Sequence, residues 1–346
     1  MENYLLNFIL SCFSEADGVK ISQLIHILNG KRTPSVFNMT MHKHLIHVYG
    51  LLPHLKREKL IKAVNALTKD GYLYHNDEKY YLTEKGAQQI AYFYEHYPYP
   101  CHIHTFSYTL IRKAIWLHVQ LLTQIASQWS YQQKQFSPLI WDEKVQANVK
   151  CLVQRYEKFH DIWQDEQIQI LETMDLPSAD FLANWLSGYD SWGLTFDEME
   201  EYIPGGKWTV YIWLQDAIEQ YMTIAQKLDL SLHQHMLQLI WQTYYAGLSP
   251  STFQSIQCIA RGISLEEIAQ RRHLKLNTIR EHVLETAFVH PEYAYQRLID
   301  KERYRELNEL FEENDELTYK EAKEILPDLI FMDYRLVELE RWQNED

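Results

Sequence analysis

The chain has 346 residues, 46% of them apolar, with 47 acidic against 33 basic side chains and a formal charge of −14. With only 11 glycines and 10 prolines, this composition excludes collagen-like, low-complexity and largely disordered classes, and the length leads us to expect two or three domains. No apolar run approaches the roughly twenty residues a spanning helix needs, and the start MENYLLNFIL lacks the cationic flank and cleavage site of a signal peptide, so a cytoplasmic or nucleoid-associated protein is expected.

In chain order, residues 4–14 and 19–29 carry apolar residues at helical spacing, and 55–69 (LKREKLIKAVNALTK) repeat it with a basic outer face. Gly71 stops that helix. Two β-prone runs follow, GYLY and KYYLT, joined by a turn at His75, Asn76, Asp77 and Glu78. Three helices and a hairpin is the order of a winged helix. Residues 94–106 (YEHYPYPCHIHTF) contain two prolines without helical period and read as a connection.

From 110 to 245 the pattern is helical with polar interruptions. One interruption holds a capping box at Thr195 and Glu198, ended by Pro204, Gly205 and Gly206. Nine of the ten tryptophans fall in this middle segment, where aromatic side chains mostly fill helical cores; the loop from Tyr189 to Trp208 is the place expected for a partner surface.

After Ser249 and Pro250 come three short helical runs, TFQSIQCIARG, SLEEIAQRRHL and KLNTIREHVLETAFV, and then a charged helical tail. Ser264 and Glu267 have S-x-x-E spacing, the pattern of a reciprocal cap, while Ile268 and Ala269 stand where the facing helix must approach closely. The break at His273 and Leu274 precedes a third helix whose first turn is rich in hydrogen-bonding groups. This is a helix-turn-helix layout, in which that first turn meets phosphates and base edges. Arg271, Arg272, Lys275 and Arg280 supply charge, and Asn277, Thr278 and His282 supply hydrogen bonds.

The overall acidity is unevenly spread. Residues 1–95 hold 11 Lys and Arg against 9 Asp and Glu, 96–245 hold 9 against 17, and 251–305 hold 9 against 7. The motif-bearing stretches are mildly basic within an acidic protein. The expected organisation is mainly α: a winged helix at 1–95, an acidic Trp-rich helical domain at 96–248, and a helix-turn-helix domain with helical tail at 249–346.

Other chemistry finds no support. The four cysteines Cys12, Cys101, Cys151 and Cys258 include no CxxC pair, which argues for free thiols. The cluster His96, Cys101, His102 and His104, and the trio His42, His44 and His47, lack paired zinc-ligand spacing. No phosphate-cradling G-x-x-x-x-G-K-[ST] loop and no G-x-S-x-G or H-E-x-x-H pattern occurs, so neither catalysis, a cofactor, a metal nor a small-molecule substrate is expected.

The stretch LEEIAQRRHLKLNTIREHV resembles the helix-turn-helix domain at the C-terminus of many RecQ-type helicases, loosely to about residue 340. Residues 6–90, through ILSCFSEADGVKISQLIHILNGKR, LIHVYGLL, LIKAVNALTKDGYLY and YYLTEKG, look like the RQC winged-helix domain that follows a RecQ helicase core. The whole arrangement is similar to the YpbB family, helix-turn-helix proteins encoded beside a short RecQ-type helicase that lacks these domains. The resemblance implies a subunit acting in trans on DNA with that helicase in repair or recombination. Carried over by position, its winged-helix binding face comprises Lys31 and Arg32, then Lys56, Arg57, Lys59 and Lys62, with Lys79 on the wing. The chain departs from the RQC pattern in lacking a preceding four-cysteine subdomain and in its short wing turn, so strand separation by this wing is not expected. Two further readings stay open, a transcriptional regulator using the same helix-turn-helix and a protein-protein adaptor.

Overall fold

The computed structural model describes residues 3–293 and 295–345. The chain divides into two compact units, residues 1–31 with 39–244, and residues 32–38 with 245–346. Helices dominate both, and the described strands form one two-stranded antiparallel sheet. Among the described residues no helix is long and apolar enough to cross a membrane.

The first unit begins with α1 (Asn3–Leu10) and α2 (Ile21–Leu28), followed by α3 (Pro34–His42), of which residues 34–38 belong to the second unit. Next come α4 (Arg57–Lys69), strands β1 (Leu73–Asn76) and β2 (Lys79–Leu82), and α5 (Glu84–His96). Helix α4 buries Leu60, Ala63, Val64 and Leu67, an i, i+3, i+4, i+7 stripe, and stops at Asp70 where Gly71 takes φ 78°. Val19 and Tyr80 exchange backbone hydrogen bonds of 3.0 and 3.1 Å, tying the segment before α2 to the hairpin as a winged helix requires.

Two details of this region differ from the sequence expectation. The wing turn is tighter, since strand pairing continues to Asn76 opposite Lys79 and leaves only Asp77 and Glu78 between, at φ 44° and 67°. Two positive φ values give the primed turn that matches strand twist, without the Asn-Gly pair that usually announces it. Helix α5 runs on to His96, because the first residue that cannot continue it is Pro98.

The remainder of the first unit is a helical bundle: α6 (Arg112–Ser130), α7 (Glu143–Arg155), α8 (Phe159–Thr173), α9 (Leu176–Ala183), α10 (Phe196–Tyr202), α11 (Lys207–Lys227) and α12 (Ser231–Thr243). Trp116 and Trp163 lie in its core, with Trp129, Trp185, Trp213 and Trp241 packed against it, so most of the tryptophans serve packing. Trp141 and Trp192 are exposed, and Trp208 is half-buried. The Thr195–Glu198 capping box forms, with the Thr195 N–H donating to Glu198 Oε2 at 2.7 Å. Two polar clusters brace the core. Arg112 donates to Glu219 at 2.6 Å, and Glu166 accepts from the Leu232 and His233 N–H groups while bonding the His233 ring at 2.6 Å.

The second unit holds α13 (Pro250–Ala260), α14 (Leu265–Arg272), α15 (Leu276–Val289), α16 (Lys301–Glu313), α17 (Tyr319–Ile325) and α18 (Phe331–Glu345). Helix α15 is its hub, contacting α13, α14 and α18. Ile268, Ala269, Ile279 and Val283 make the apolar seam of the three-helix motif. The cap at Ser264 is half of the expected one: its hydroxyl accepts from the Glu267 N–H at 3.2 Å, but the Glu267 carboxylate turns to Arg271 instead. His273 ends α14 in the left-handed region at φ 52°.

Candidate nucleic-acid interface

On the winged helix, α4 starts with Lys56 at its N-cap, and no side chain caps it. Lys31, Lys56, Arg57, Lys59 and Lys62 are exposed, and none takes part in the ion pairs found among the described residues. His26, at the end of α2, is held below the ordinary histidine pKa by burial and by the positive charges of Lys31 and Arg57. Unpaired cations flanking an uncapped helix start suit a phosphate, since backbone N–H groups and dipole there add to the field. Lys79, at the start of β2, is half-buried. The wing tip is acidic, and Glu78 is engaged by Lys20 at 2.6 Å.

On the helix-turn-helix, Lys275 is the N-cap of α15, exposed and without a side-chain cap, and Asn277 is exposed one residue into the helix. Thr278 is half-buried and Arg280 donates to Asn277 Oδ1 at 3.1 Å. Asn277 and Arg280 also form one wall of a cleft of about 480 Å³ whose other wall includes Lys323 and Asp328. Arg271 is exposed and pairs with Glu267 at 2.5 Å, a surface bond worth at most about 1 kcal/mol and readily exchanged for a phosphate.

Three expected contacts are corrected. Arg32 is an internal ion pair: its Nε donates to Glu285 at 2.9 Å, its Nη2 donates to the Gly247 carbonyl at 2.9 Å, and its guanidinium lies over Phe37. Glu285 also accepts from Ser249 and Thr252, so the carboxylate collects the start of α13 and the 32–38 segment together. Arg272 donates to the Ser251 carbonyl at 2.8 Å and to Gln254 at 3.1 Å, fastening α14 to α13. His282 is buried, bonds Ser255 at 2.8 Å, and is held below its usual pKa by burial and the Arg272 charge, which makes it a neutral core histidine. These three side chains are committed to partners inside the second unit and hold it together rather than facing a phosphate.

The chain matches the RQC domain family over residues 5–93 and a family described as "Helix-turn-helix domain" over residues 251–338. It is 21% identical over 306 residues to "Protein YpbB" of Bacillus subtilis (strain 168), spanning 87% of this chain and 86% of that one. The chain is thus similar to YpbB over most of both lengths. No solved structure matches it. Both matched domains are of nucleic-acid-binding type, which makes this relative of YpbB a DNA-binding helix-turn-helix protein.

Spacing alone also missed a tie at the connection. Cys101 and His102 meet Asp216, 114 residues away, whose carboxylate accepts from the His102 N–H and bonds its Nδ1, both at 2.7 Å. Two ligands about 2.0 Å from a tetrahedral metal stand about 3.3 Å apart, so 2.7 Å is a hydrogen-bond separation. Burial together with Asp216 and Asp175 pushes the Cys101 thiol up to about 11, keeping it protonated at neutral pH. The cluster fastens the connection to α11.

Proposed function

We propose that this protein is a non-catalytic DNA-binding subunit that supplies a winged helix and a helix-turn-helix to a RecQ-type helicase in DNA repair or recombination. The observation that carries the reading is the presence, on one chain, of an RQC domain and a helix-turn-helix domain, each with an exposed lysine at an uncapped helix start, Lys56 on α4 and Lys275 on α15. Two modest attachments on one chain raise the residence of a partner on DNA by effective concentration, without either being tight. Point charges meeting phosphates release counterions, so binding falls steeply with salt and depends little on sequence.

Support for backbone contact over operator reading comes from α15. From His282 to Val289 every residue is buried, which leaves only residues 276–281 to approach bases, and there Arg280 and Asn277 bond each other and Glu281 is acidic. The test is to mix the full chain with the RecQ-type helicase of the same genome. Co-elution and a change in DNA-dependent ATPase or unwinding are expected; neither appearing would remove the partnership. Lys56→Glu with Arg57→Glu should weaken duplex binding and flatten the slope of log affinity against log salt by about 0.9 for each phosphate no longer neutralised.

A further inference from the structure

A groove of about 840 Å³ in the first unit lies between the winged helix and the bundle. One wall comes from Leu52, Leu55, Lys59 and Lys62, around the start of α4; the other comes from Phe196, Lys207, Trp208 and Tyr211, around the start of α11. Three independent properties of this groove converge on one ligand chemistry.

The first is ring geometry. Trp208 and Tyr211 stand nearly perpendicular, with an interplanar angle of 88° and centroids 6.2 Å apart, which forms a notch offering one flat face and one edge to a planar ring. The second is charge. The bundle segment is strongly acidic, yet among the described residues no Asp or Glu lines the groove, and Lys59 and Lys62 bring two exposed cations to its rim at i, i+3 spacing. The third is continuity, because those lysines follow Lys56 and Arg57 along the same helix. Next to the lining residues Lys207 and Trp208, Gly206 is the N-cap of α11, with φ 73° and no side-chain cap. A residue with a side chain is strained at that φ, so the chain can turn there without covering the helix start.

A base-paired duplex offers no free ring face to an aromatic notch, whereas an unpaired nucleotide offers both a ring and a phosphate. The volume falls within the range of about 300 to 1,000 Å³ of small-ligand pockets. We infer that this groove holds the first unpaired nucleotides of a strand leaving a duplex, with a base stacked on Trp208 and its phosphates met by Lys59 and Lys62. The inference rests on the DNA-binding reading of α4 and makes the protein a reader of single-strand to double-strand junctions.

The experiment uses the full chain with labelled blunt duplex, forked duplex and single-stranded oligonucleotides, followed by fluorescence anisotropy. Trp208→Leu is expected to lower affinity for the fork and the single strand by roughly tenfold while leaving blunt-duplex affinity unchanged, which also reports that the variant is folded. In the wild-type protein, 5-iodouracil at the first unpaired position should photo-crosslink to Trp208 or Tyr211, mapped by peptide mass spectrometry. Fork affinity within about twofold of wild type in the Trp208→Leu protein, together with crosslinks only elsewhere, overturns the inference and is the result expected if the groove takes a peptide instead. Failure of the α4 reading looks different: duplex binding indifferent to Lys56→Glu and Arg57→Glu, with single-strand binding still sensitive to Trp208.

Discussion

Among the cations of this chain, position in the sequence says little about employment. Lys31 and Arg32 are neighbours, yet the first is exposed and the second is enclosed with Glu285. Removing one member of a buried pair leaves the other charge without compensation, which costs about 3 kcal/mol or more. Arg32→Ala is therefore expected to lower unfolding stability in urea by about that amount, whereas Lys31→Ala should leave stability within about 0.5 kcal/mol and act only on DNA affinity. Equal effects of the two on stability would contradict the assignment. His282 shows the same divergence: its place in the third helix suggested a base contact, but its ring lies 2.8 Å from Ser255 inside the motif.

At the scale of elements, capping chemistry was largely readable and chain reversals less so. The stripe of α4, the stop at Gly71 and the Thr195–Glu198 box follow from local rules and form as expected. The place of the wing turn was legible but its two-residue length was not, because Asp77 and Glu78 occupy positive φ without glycine. The break at His273 was legible too, but not its conformation, held at φ 52° between α14 and α15. His273→Gly should relieve that conformation and raise stability by about 0.5 to 1 kcal/mol, and Ser264→Ala should lower it by about 1 kcal/mol through loss of the cap at α14. Both are measured by chemical denaturation. A destabilised His273→Gly protein would show that the imidazole makes a contact worth more than the strain.

The whole molecule carries a charge of −14 and still presents cationic patches. These coexist because the screening length is about 10 Å at 0.1 M salt, so acidic surface farther away than that contributes little at a bound phosphate. A second property of the whole chain is its set of histidines kept neutral. Burial lowers the pKa of His26, His118, His233 and His282, and pushes His47 down to about 4. The unfolded chain takes up protons on these rings below about 6.5, so the stability they contribute is present above that pH and is lost as pH falls towards the folded values. Burial alone would raise Glu166, but its bonds from His233 and Leu232 hold it below the usual carboxylate range, which extends the loss to more acid pH. His102, raised chiefly by its bond to Asp216, acts in the opposite sense, its contribution fading as pH rises through its folded value. With five lowered rings against one raised, the urea midpoint should fall between pH 7.5 and 5.5; a flat profile would show that these rings protonate as readily in the fold as outside it.

By itself the sequence determined that the chain is mainly helical, where several helices start and stop, and that its ends carry a winged helix and a helix-turn-helix. Those properties depend on residues within a few positions of one another, and so they can be read along the chain. Which cations remain available to a phosphate was decided only by the tertiary structure. Arg32 is claimed by a carboxylate 253 residues away, and His102 by one 114 residues away. The groove beside Trp208 likewise exists only because the fold brings residues of α4 and α11 to line one space. Burial and ion pairing are sums over neighbours in space, and no local pattern encodes who those neighbours will be.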